Sequence, residues 1–384
     1  MPPSFAPGET ELARVARFST VVADTLVPEA VRALAGAGVA TAAVVSHGSL
    51  LRATAAPSRE FEAALAGALA YDKARLPGGK GADLSLILDK AMVNIGADLA
   101  SIVKGRVSTE LDARLAGNTE ALVAKAQRLA AMYKEMGVGP ERLLFRVPAT
   151  WEALEAVARL EAAGMACHVH DVYSVQQAAA AAHAGASVIQ PSVLSLQDWA
   201  VKHPNAPLPG AERGTRGDAG DLAQPGSESR ATKAGRGLAA ATLAYLNALP
   251  EGRRARTKLM THARSADDVR ALAGADFVLA PVAALTELAG QATFAGYNDG
   301  ISPQAASSGK ETSPLEQRAA EAAAEIAAAF PAGGVFSGDR SDFEAGLAAG
   351  PGKDLLAAAV KRAATNAIEA EALFQKLWPP AGGM

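Results

Sequence analysis

The chain has 384 residues but only one cysteine, Cys167, and no long uninterrupted apolar run. A single cysteine excludes a disulfide framework and a metal site made of thiolates. A membrane-spanning helix needs about 20 consecutive apolar residues, and the sequence offers none. The first residues, Met1–Ser4, lack the basic segment and apolar stretch of a secretory signal. We therefore expect a cytoplasmic protein without membrane contact.

The chain also lacks a charge excess of either sign. It carries 37 basic and 40 acidic residues, for a net charge of −3, and no basic run occurs. Such a balance provides no electrostatic field that would attract nucleic acid or an anionic membrane surface. A small-molecule substrate is the partner class that we expect. With 49% hydrophobic residues, the chain has enough apolar side chains for a full globular core.

Short apolar or β-branched runs alternate with Ala/Leu-rich stretches of helical period along the whole chain. This alternation is typical of βα units around a parallel sheet. Eight strands are the number that a closed (β/α)8 TIM barrel needs, and we predict one such barrel domain over residues 1–384. The candidate strands are Ser19–Asp24, Thr41–Ser46, Gly105–Glu110, Leu143–Val147, Ala166–Val172, Ala186–Gln190, Lys258–His262 and Phe277–Ala280.

Two segments interrupt the pattern of strands and helices. Residues 203–236 and 302–314 are rich in Pro, Gly and Ser, and we predict that the first is a flexible insertion and the second a flexible loop. Helices are expected again over residues 315–380.

Three segments resemble the transaldolase family nearly letter for letter: residues 21–25 (VVADT), 89–96 (DKAMVNIG) and 105–115 (GRVSTELDARL). The resemblance implies a (β/α)8 barrel with extra N- and C-terminal helices, an enzyme of carbohydrate metabolism and a homodimer. In that family the fourth strand carries the lysine that forms a Schiff base with a ketose phosphate. This chain has Arg146 there. A guanidinium stays protonated and has no free amine lone pair, so we predict that the Schiff-base chemistry is absent.

Four of the six histidines fall at the C-terminal ends of predicted strands, where the side chains of a barrel share one mouth. His168 and His170 are two residues apart on one strand and should project from the same side. By the resemblance, His47 replaces a substrate-binding Asn, and His168 and His170 replace an Asn and a Thr. The fourth histidine at a strand end is His262.

The resemblance suggests further site residues. Asp24 and Glu110 match the family's acid/base carboxylates, so with Arg146 they are our predicted catalytic residues. One of the family's two phosphate-binding arginines is replaced by Ser195, and the other is retained as Arg264. The predicted substrate-binding residues are Gln190, Ser192, Arg264 and Tyr173.

Three functions remain open. The one we favour is a divalent transition-metal centre (Zn, Fe, Mn, Co or Ni) in a lyase- or transferase-like enzyme, because imidazoles with a carboxylate are usual ligands for such ions. The metal would polarise the carbonyl of a small oxygenated or phosphorylated substrate in an aldol-type reaction. Glu110, Asp24 or Asp171 would be a further ligand or the partner of one. The predicted ligands are His47, His168, His170 and His262.

The second function is metal-free acid/base catalysis by histidine and carboxylate side chains, with Arg146 binding a substrate carboxylate or phosphate. The third is a non-catalytic relative that binds a ligand or a partner protein. Decay would scatter residue types, whereas the replacements here repeatedly give histidine. Asp171 follows His170 directly, so we expect its side chain to face away from the mouth.

Overall fold

The computed structural model describes residues 10–36, 42–77, 81–206, 228–292, 312–330, 336 and 338–377. All eight predicted strands occur, with ends shifted by at most two residues. The strands are β1 Thr20–Ala23, β2 Ala43–Val45, β3 Val107–Glu110, β4 Leu143–Pro148, β5 Cys167–Val172, β6 Val188–Pro191, β7 Lys258–His262 and β8 Phe277–Ala280.

The strands form one parallel sheet in the order β1-β8-β7-β6-β5-β4-β3-β2. The two ends of this order, β1 and β2, also lie in contact, so the sheet curls into a nearly closed ring. Helices alternate with the strands, as in a (β/α)8 barrel. The predicted fold class is confirmed.

The α-helices of the described residues surround and flank the barrel. One precedes β1, and three follow the last barrel helix. Their bounds are α1 Glu11–Val15, α2 Pro28–Gly36, α3 His47–Ala53, α4 Arg59–Leu69, α5 Leu84–Ile102, α6 Thr119–Glu135, α7 Trp151–Ala162, α8 Val175–His183, α9 Val193–Lys202, α10 Arg230–Ala248, α11 Glu251–Arg256, α12 Ala266–Leu272, α13 Val282–Gly290, α14 Pro314–Ala329, α15 Arg340–Ala348 and α16 Gly352–Leu377.

Several helices begin within four residues of the end of the preceding strand because a Ser or Thr caps them. In each case the hydroxyl accepts a hydrogen bond from the backbone N–H three residues later, which satisfies one of the free donors of the first turn. These caps turn the chain sharply at the C-terminal end of the barrel. The capping residues are Ser46, Thr150, Ser174 and Ser265.

The barrel interior is apolar at the N-terminal ends of the strands and polar at the C-terminal ends. Side chains two apart on a strand face the same side, so each inward apolar residue is followed by an inward residue of the next layer. The apolar layer includes Val22, Val44, Leu144, Ala166, Val188, Met260 and Leu279. Two residues further along their strands stand Asp24, Ser46, Arg146, His168, Gln190 and His262.

The two predicted flexible segments lie largely outside the described residues, namely 207–227 of the first and 302–311 of the second. Their flexibility stays a prediction. The first prediction extends too far, because α10 begins at Arg230. Ser229 caps this helix, and Ala234 and Leu238 pack against α9, so the segment is helical despite its polar start.

Helices α14, α15 and α16 lie where C-terminal helices were predicted, and residues 378–380 fall outside the description. Helix α16 packs against α3, α5 and β5, next to the mouth of the barrel. Gly48 of α3 permits this approach, because a Cβ there would lie 3.0 Å from Nδ2 of Asn366. Within the described ranges, no helix is both long enough and apolar enough to cross a membrane.

Candidate active site

Glu110, at the end of β3, is the centre of the polar layer. It is buried, and its Oε2 accepts a hydrogen bond from the backbone N–H of His47 at 2.9 Å. Nδ1 of the same histidine lies 2.9 Å from Oε2 as well. His47 is the first residue of α3, so its N–H is free to donate to a group outside the helix. The helix start after β2 thus binds the carboxylate of β3.

The charges around Glu110 keep it ionised. Burial raises the pKa of Glu110, but the hydrogen bond from His47 and the electrostatic interactions with His47, Arg146 and His170 outweigh burial and lower it to about 2. A carboxylate with so low a pKa is a weak proton acceptor at neutral pH. It is suited to hold the groups around it rather than to remove a proton. Because an ionised carboxylate only accepts hydrogen bonds, Nδ1 of His47 carries the hydrogen.

Arg146 lies beside Glu110, opposite it in the β3–β4 register. Its Nη1 donates to Glu110 Oε1 at 3.2 Å, and its Nη2 donates to Gln190 Oε1 at 3.4 Å. Nε is buried and has no hydrogen-bond partner among the described residues. The guanidinium therefore lies between Glu110 and Gln190, at the position where the resemblance places a lysine, and its Nε–H has no partner there.

His168 is fully buried, and its Nδ1 lies 2.8 Å from Oγ of Ser108, an inward residue of β3. Burial, followed by the electrostatic interactions with Arg146 and His170, lowers the pKa of His168 well below its ordinary value. The ring is neutral at physiological pH. Its Nε2 lies near Gln190 but has no well-formed hydrogen bond within the described part of the chain.

His170 lies two residues after His168 on β5, and the centroids of the two rings are 6.4 Å apart. Its Nδ1 is 3.0 Å from Oδ2 of Asp171 and its Nε2 is 3.9 Å from Oε1 of Glu110. Nε2 is buried without a hydrogen-bond partner in the described ranges. As predicted, His168 and His170 project from the same side of β5.

The expectation that Asp171 faces away from the mouth was wrong. Asp171 has φ 56°, the one positive φ of a non-glycine residue in the part of the chain that is described. The β5–β6 register shifts at the same place, between Val169 and Val172. This irregularity turns the Asp171 side chain back onto His170. Oγ of Ser192 also donates to Asp171 Oδ1 at 3.4 Å.

His262 and Asp24 lie on the opposite side of the mouth, at the ends of β7 and β1. Nε2 of His262 is 3.7 Å from Oδ2 of Asp24, whose Oδ1 accepts from Nη2 of Arg52 at 3.3 Å. Burial lowers the pKa of His262; Asp24 opposes this, while the charges of Arg146, Arg52 and Arg264 add to it. Both side chains remain partly exposed, 34% for His262.

The predicted substrate-binding residues are divided between these regions. Gln190 is buried and binds Arg146. Tyr173 is buried, and this burial together with the charge of Asp171 raises its pKa to about 12. Arg264 is 48% exposed, and its Nη2 donates to Asp198 Oδ1 at 2.8 Å. Its charge is therefore partly neutralised outside the mouth.

The four predicted metal ligands do not form one cluster. His47 and His170 direct Nδ1 to different carboxylates, His168 directs it to Ser108, and His262 lies beside Asp24. In the described residues, no group of three or more His, Cys, Asp or Glu side chains has the spacing to hold a metal ion. These side-chain positions do not fit the predicted centre, and metal binding stays a prediction.

Sequence reasoning missed Ser108, Arg52 and Arg362 as members of the site. Ser108 stands two residues before Glu110, so the period of the strand would have placed it inside the barrel. Arg362 comes from α16. Burial raises the pKa of Asp171, and the interactions with His170, Arg146 and Arg362 lower it. No pattern in the sequence connects Arg362 with β5.

Comparisons with known proteins agree with this architecture. A model of the transaldolase/fructose-6-phosphate aldolase family matches residues 21–331. A transaldolase of Protochlamydia amoebophila is 42% identical over 138 residues, which is 36% of this chain and 43% of that protein. Transaldolases of Glaesserella parasuis and Pseudoalteromonas atlantica are 35% and 39% identical over 189 and 184 residues, covering 49% and 47% of this chain and 58% and 55% of theirs.

The chain spans about half the length of the curated relatives that it matches. The family model, in contrast, covers most of the chain, from the first strand to beyond α14. With eight parallel strands in a barrel, the chain belongs to the transaldolase/fructose-6-phosphate aldolase family.

Proposed function

We propose that this chain is a family member that makes or breaks a carbon–carbon bond, or moves a proton, next to a carbonyl without forming a Schiff base. The substrate would be a small hydroxylated carbonyl compound, with or without a phosphate. The observation that carries the proposal is the arrangement of Arg146 and His170 around Oε1 of Glu110. Arg146 Nη1 is 3.2 Å and His170 Nε2 is 3.9 Å from this oxygen. The guanidinium of Arg146 and the partnerless Nε2 of His170 thus lie beside the same carboxylate oxygen.

His170 is the proposed general base. In a retro-aldol reaction, Nε2 takes the proton of the β-hydroxyl group, the bond between the α and β carbons breaks, and its electron pair moves to the carbonyl oxygen. An aldehyde leaves, and the enolate then receives a proton at carbon from the imidazolium. A positioned histidine contributes about 10²- to 10⁴-fold to such a step.

Arg146 is the proposed stabiliser of the negative oxygen. Its partnerless Nε–H can donate to the oxygen on which charge develops, in a water-poor site where such a hydrogen bond is strong. Glu110 fixes the guanidinium and stays ionised itself. In this arrangement the guanidinium replaces the electron-withdrawing role of an iminium ion.

The test is to incubate the full chain with fructose 6-phosphate or dihydroxyacetone phosphate in D₂O and follow deuterium incorporation and cleavage by NMR. Parallel samples receive borohydride, with the Protochlamydia amoebophila transaldolase as a positive control. We expect deuterium incorporation or cleavage without a trapped adduct on this chain. A trapped adduct would overturn the proposal, and so would inertness toward both compounds and toward their unphosphorylated analogues.

Metal dependence remains a separate proposal, supported by the histidine content of the mouth. Elemental analysis of the purified chain tests it. About one transition-metal ion per chain, lost when His168 and His170 are both replaced by Ala, would support the metal centre and displace the metal-free mechanism. The homodimer is likewise a proposal from family membership, and light scattering of the purified chain tests it.

A further inference from the structure

The most unusual backbone conformation of the described residues lies at the site itself. Asp171 adopts φ 56°, a left-handed conformation that costs a residue with a Cβ more than a glycine. Aspartate and asparagine tolerate it better than most residues because their short polar side chains form local contacts. Positions of this kind persist only where the surroundings hold them, and they concentrate at functional sites.

The surroundings of Asp171 are specific. Its Oδ2 lies 3.0 Å from His170 Nδ1, and its Oδ1 accepts from Ser192. Each oxygen of the Asp171 carboxylate therefore lies next to a side chain that can donate. An aspartate is ionised at neutral pH, and an ionised carboxylate can only accept a hydrogen bond. The hydrogen between the two residues must belong to Nδ1 of the imidazole.

The other nitrogen of His170 faces the mouth. Nε2 lies 3.9 Å from Glu110 Oε1, which is too long for a hydrogen bond. If Nε2 also carried a hydrogen, this N–H would lie near Oε1 of Glu110 without forming a hydrogen bond to it. The titratable groups around the ring are Asp171 on β5, Glu110 on β3 and His168 on β5. The charges of Arg146 on β4 and Arg362 on α16 act on Asp171.

We propose that Asp171 is a positioning residue that holds His170 as the Nδ1–H tautomer, with the lone pair of Nε2 directed into the mouth. The left-handed turn at residue 171 is the device that brings a carboxylate to its neighbour on the same strand. In a regular strand, adjacent side chains point to opposite faces, and this contact could not form. The catalytic consequence rests on the proposed function, whereas the tautomer is a property of the free protein.

Two substitutions distinguish the contribution of the Asp171 carboxylate from that of the left-handed backbone conformation. Asp171→Asn keeps the size and tolerates the left-handed conformation, but its amide N–H can donate to Nδ1 and thereby favour the Nε2–H tautomer. Asp171→Gly adopts the same φ without strain and removes the acceptor. Asp72→Asn is the matched control, since Asp72 is exposed and pairs only with the nearby Arg75 among the contacts described for it.

The experiment is long-range ¹H–¹⁵N NMR of the full chain labelled at the histidine nitrogens, with His170 assigned by the spectrum of His170→Gln. We expect the Nδ1–H tautomer in the wild type and in Asp72→Asn, the Nε2–H tautomer in Asp171→Asn and a mixture in Asp171→Gly. With fructose 6-phosphate or dihydroxyacetone phosphate, Asp171→Asn should lower kcat about 100-fold or more with KM nearly unchanged, and Asp171→Gly should be intermediate.

An Nε2–H tautomer in the wild type would overturn the inference. It would also be overturned by an Asp171→Asn variant that keeps the wild-type tautomer or retains kcat within twofold. If the wild type shows the Nδ1–H tautomer, lost in Asp171→Asn, but neither compound reacts, then the positioning role stands and the proposed function is wrong.

Discussion

The two halves of the barrel mouth differ in how their polar groups are paired. The half formed by β3 to β6 is buried, and three of its polar atoms, on Arg146, His168 and His170, have no hydrogen-bond partner in the described residues. The half formed by β7, β8 and β1 is more open. There, Asp24 lies between Arg52 and His262.

The replacements that the resemblance implies concentrate in the buried half. Arg146, His168 and His170 all lie there, and His47 joins it through Glu110. The retained Asp24 lies in the open half. Because charges interact more strongly where water is excluded, the buried half is where a changed residue alters chemistry most. We therefore expect the reaction to take place in the buried half, and the open half to make weaker, solvent-screened contacts.

The largest expected effect is a difference in stability between two variants, one that removes the carboxylate of the buried half and one that removes the carboxylate of the open half. Glu110→Ala leaves the guanidinium of Arg146, whose side chain is only 14% exposed, without its counter-ion. The removal of one partner of a buried pair typically costs about 3–5 kcal/mol. Asp24→Ala breaks an exposed pair, which is worth about 1 kcal/mol or less. Urea unfolding of both variants measures the difference. Equal losses would show that the two halves are not energetically distinct.

The same contrast should appear in activity. We expect His170→Ala to lower kcat for fructose 6-phosphate or dihydroxyacetone phosphate by about 10²- to 10⁴-fold, since a general base contributes this much. His262→Ala should stay within about fivefold of the wild type, because the proposed reaction does not use it. Steady-state kinetics at pH 7 measure both. A larger loss for His262→Ala would move the chemistry to the open half.

Stability should depend on acid through Glu110. Its pKa is lowered from 4.5 to about 2 in the folded chain, so the ionised form is stabilised by folding. This contribution is fully present above pH 4.5 and is lost as the pH falls toward 2, and it amounts to about 3 kcal/mol because each pKa unit is worth about 1.4 kcal/mol.

The measurement is the difference in unfolding free energy between the wild type and Glu110→Gln from pH 6 down to pH 3. The difference should shrink steadily below pH 4.5, because the glutamine side chain does not titrate. A difference that is constant over this range would mean that Glu110 is not held by His47 and Arg146 as described.

The fold and much of the buried half were predictable from sequence. The alternation of apolar runs and helical stretches predicts eight strands, and the two-residue period along a strand predicts that His168 and His170 share a side. The same period, applied to Ser108 and Glu110, would have placed Ser108 beside the histidines. These are regularities of parallel strands, and the structure follows them.

Two features of the site were beyond such reasoning. The turn of Asp171 depends on a positive φ and a register shift, which no composition rule places at an Asp within an apolar run. The division of the four histidines between the two halves depends on which carboxylate each ring reaches across the barrel. His47 reaches Glu110 because α3 begins directly at the end of β2, and this is a matter of three-dimensional distance.

The smallest expected effect concerns Arg264 in the open half. Arg264 donates to Asp198 and is half exposed, so it can contribute only a screened contact to a substrate phosphate, worth about 1 kcal/mol or less. We expect Arg264→Gln to raise KM for fructose 6-phosphate up to about fivefold with kcat unchanged. Asp198→Asn, which releases the guanidinium, should lower KM by a smaller factor. If Arg264→Gln instead reduces kcat by more than tenfold, the open half takes part in the transition state, and the assignment of chemistry to the buried half alone is wrong.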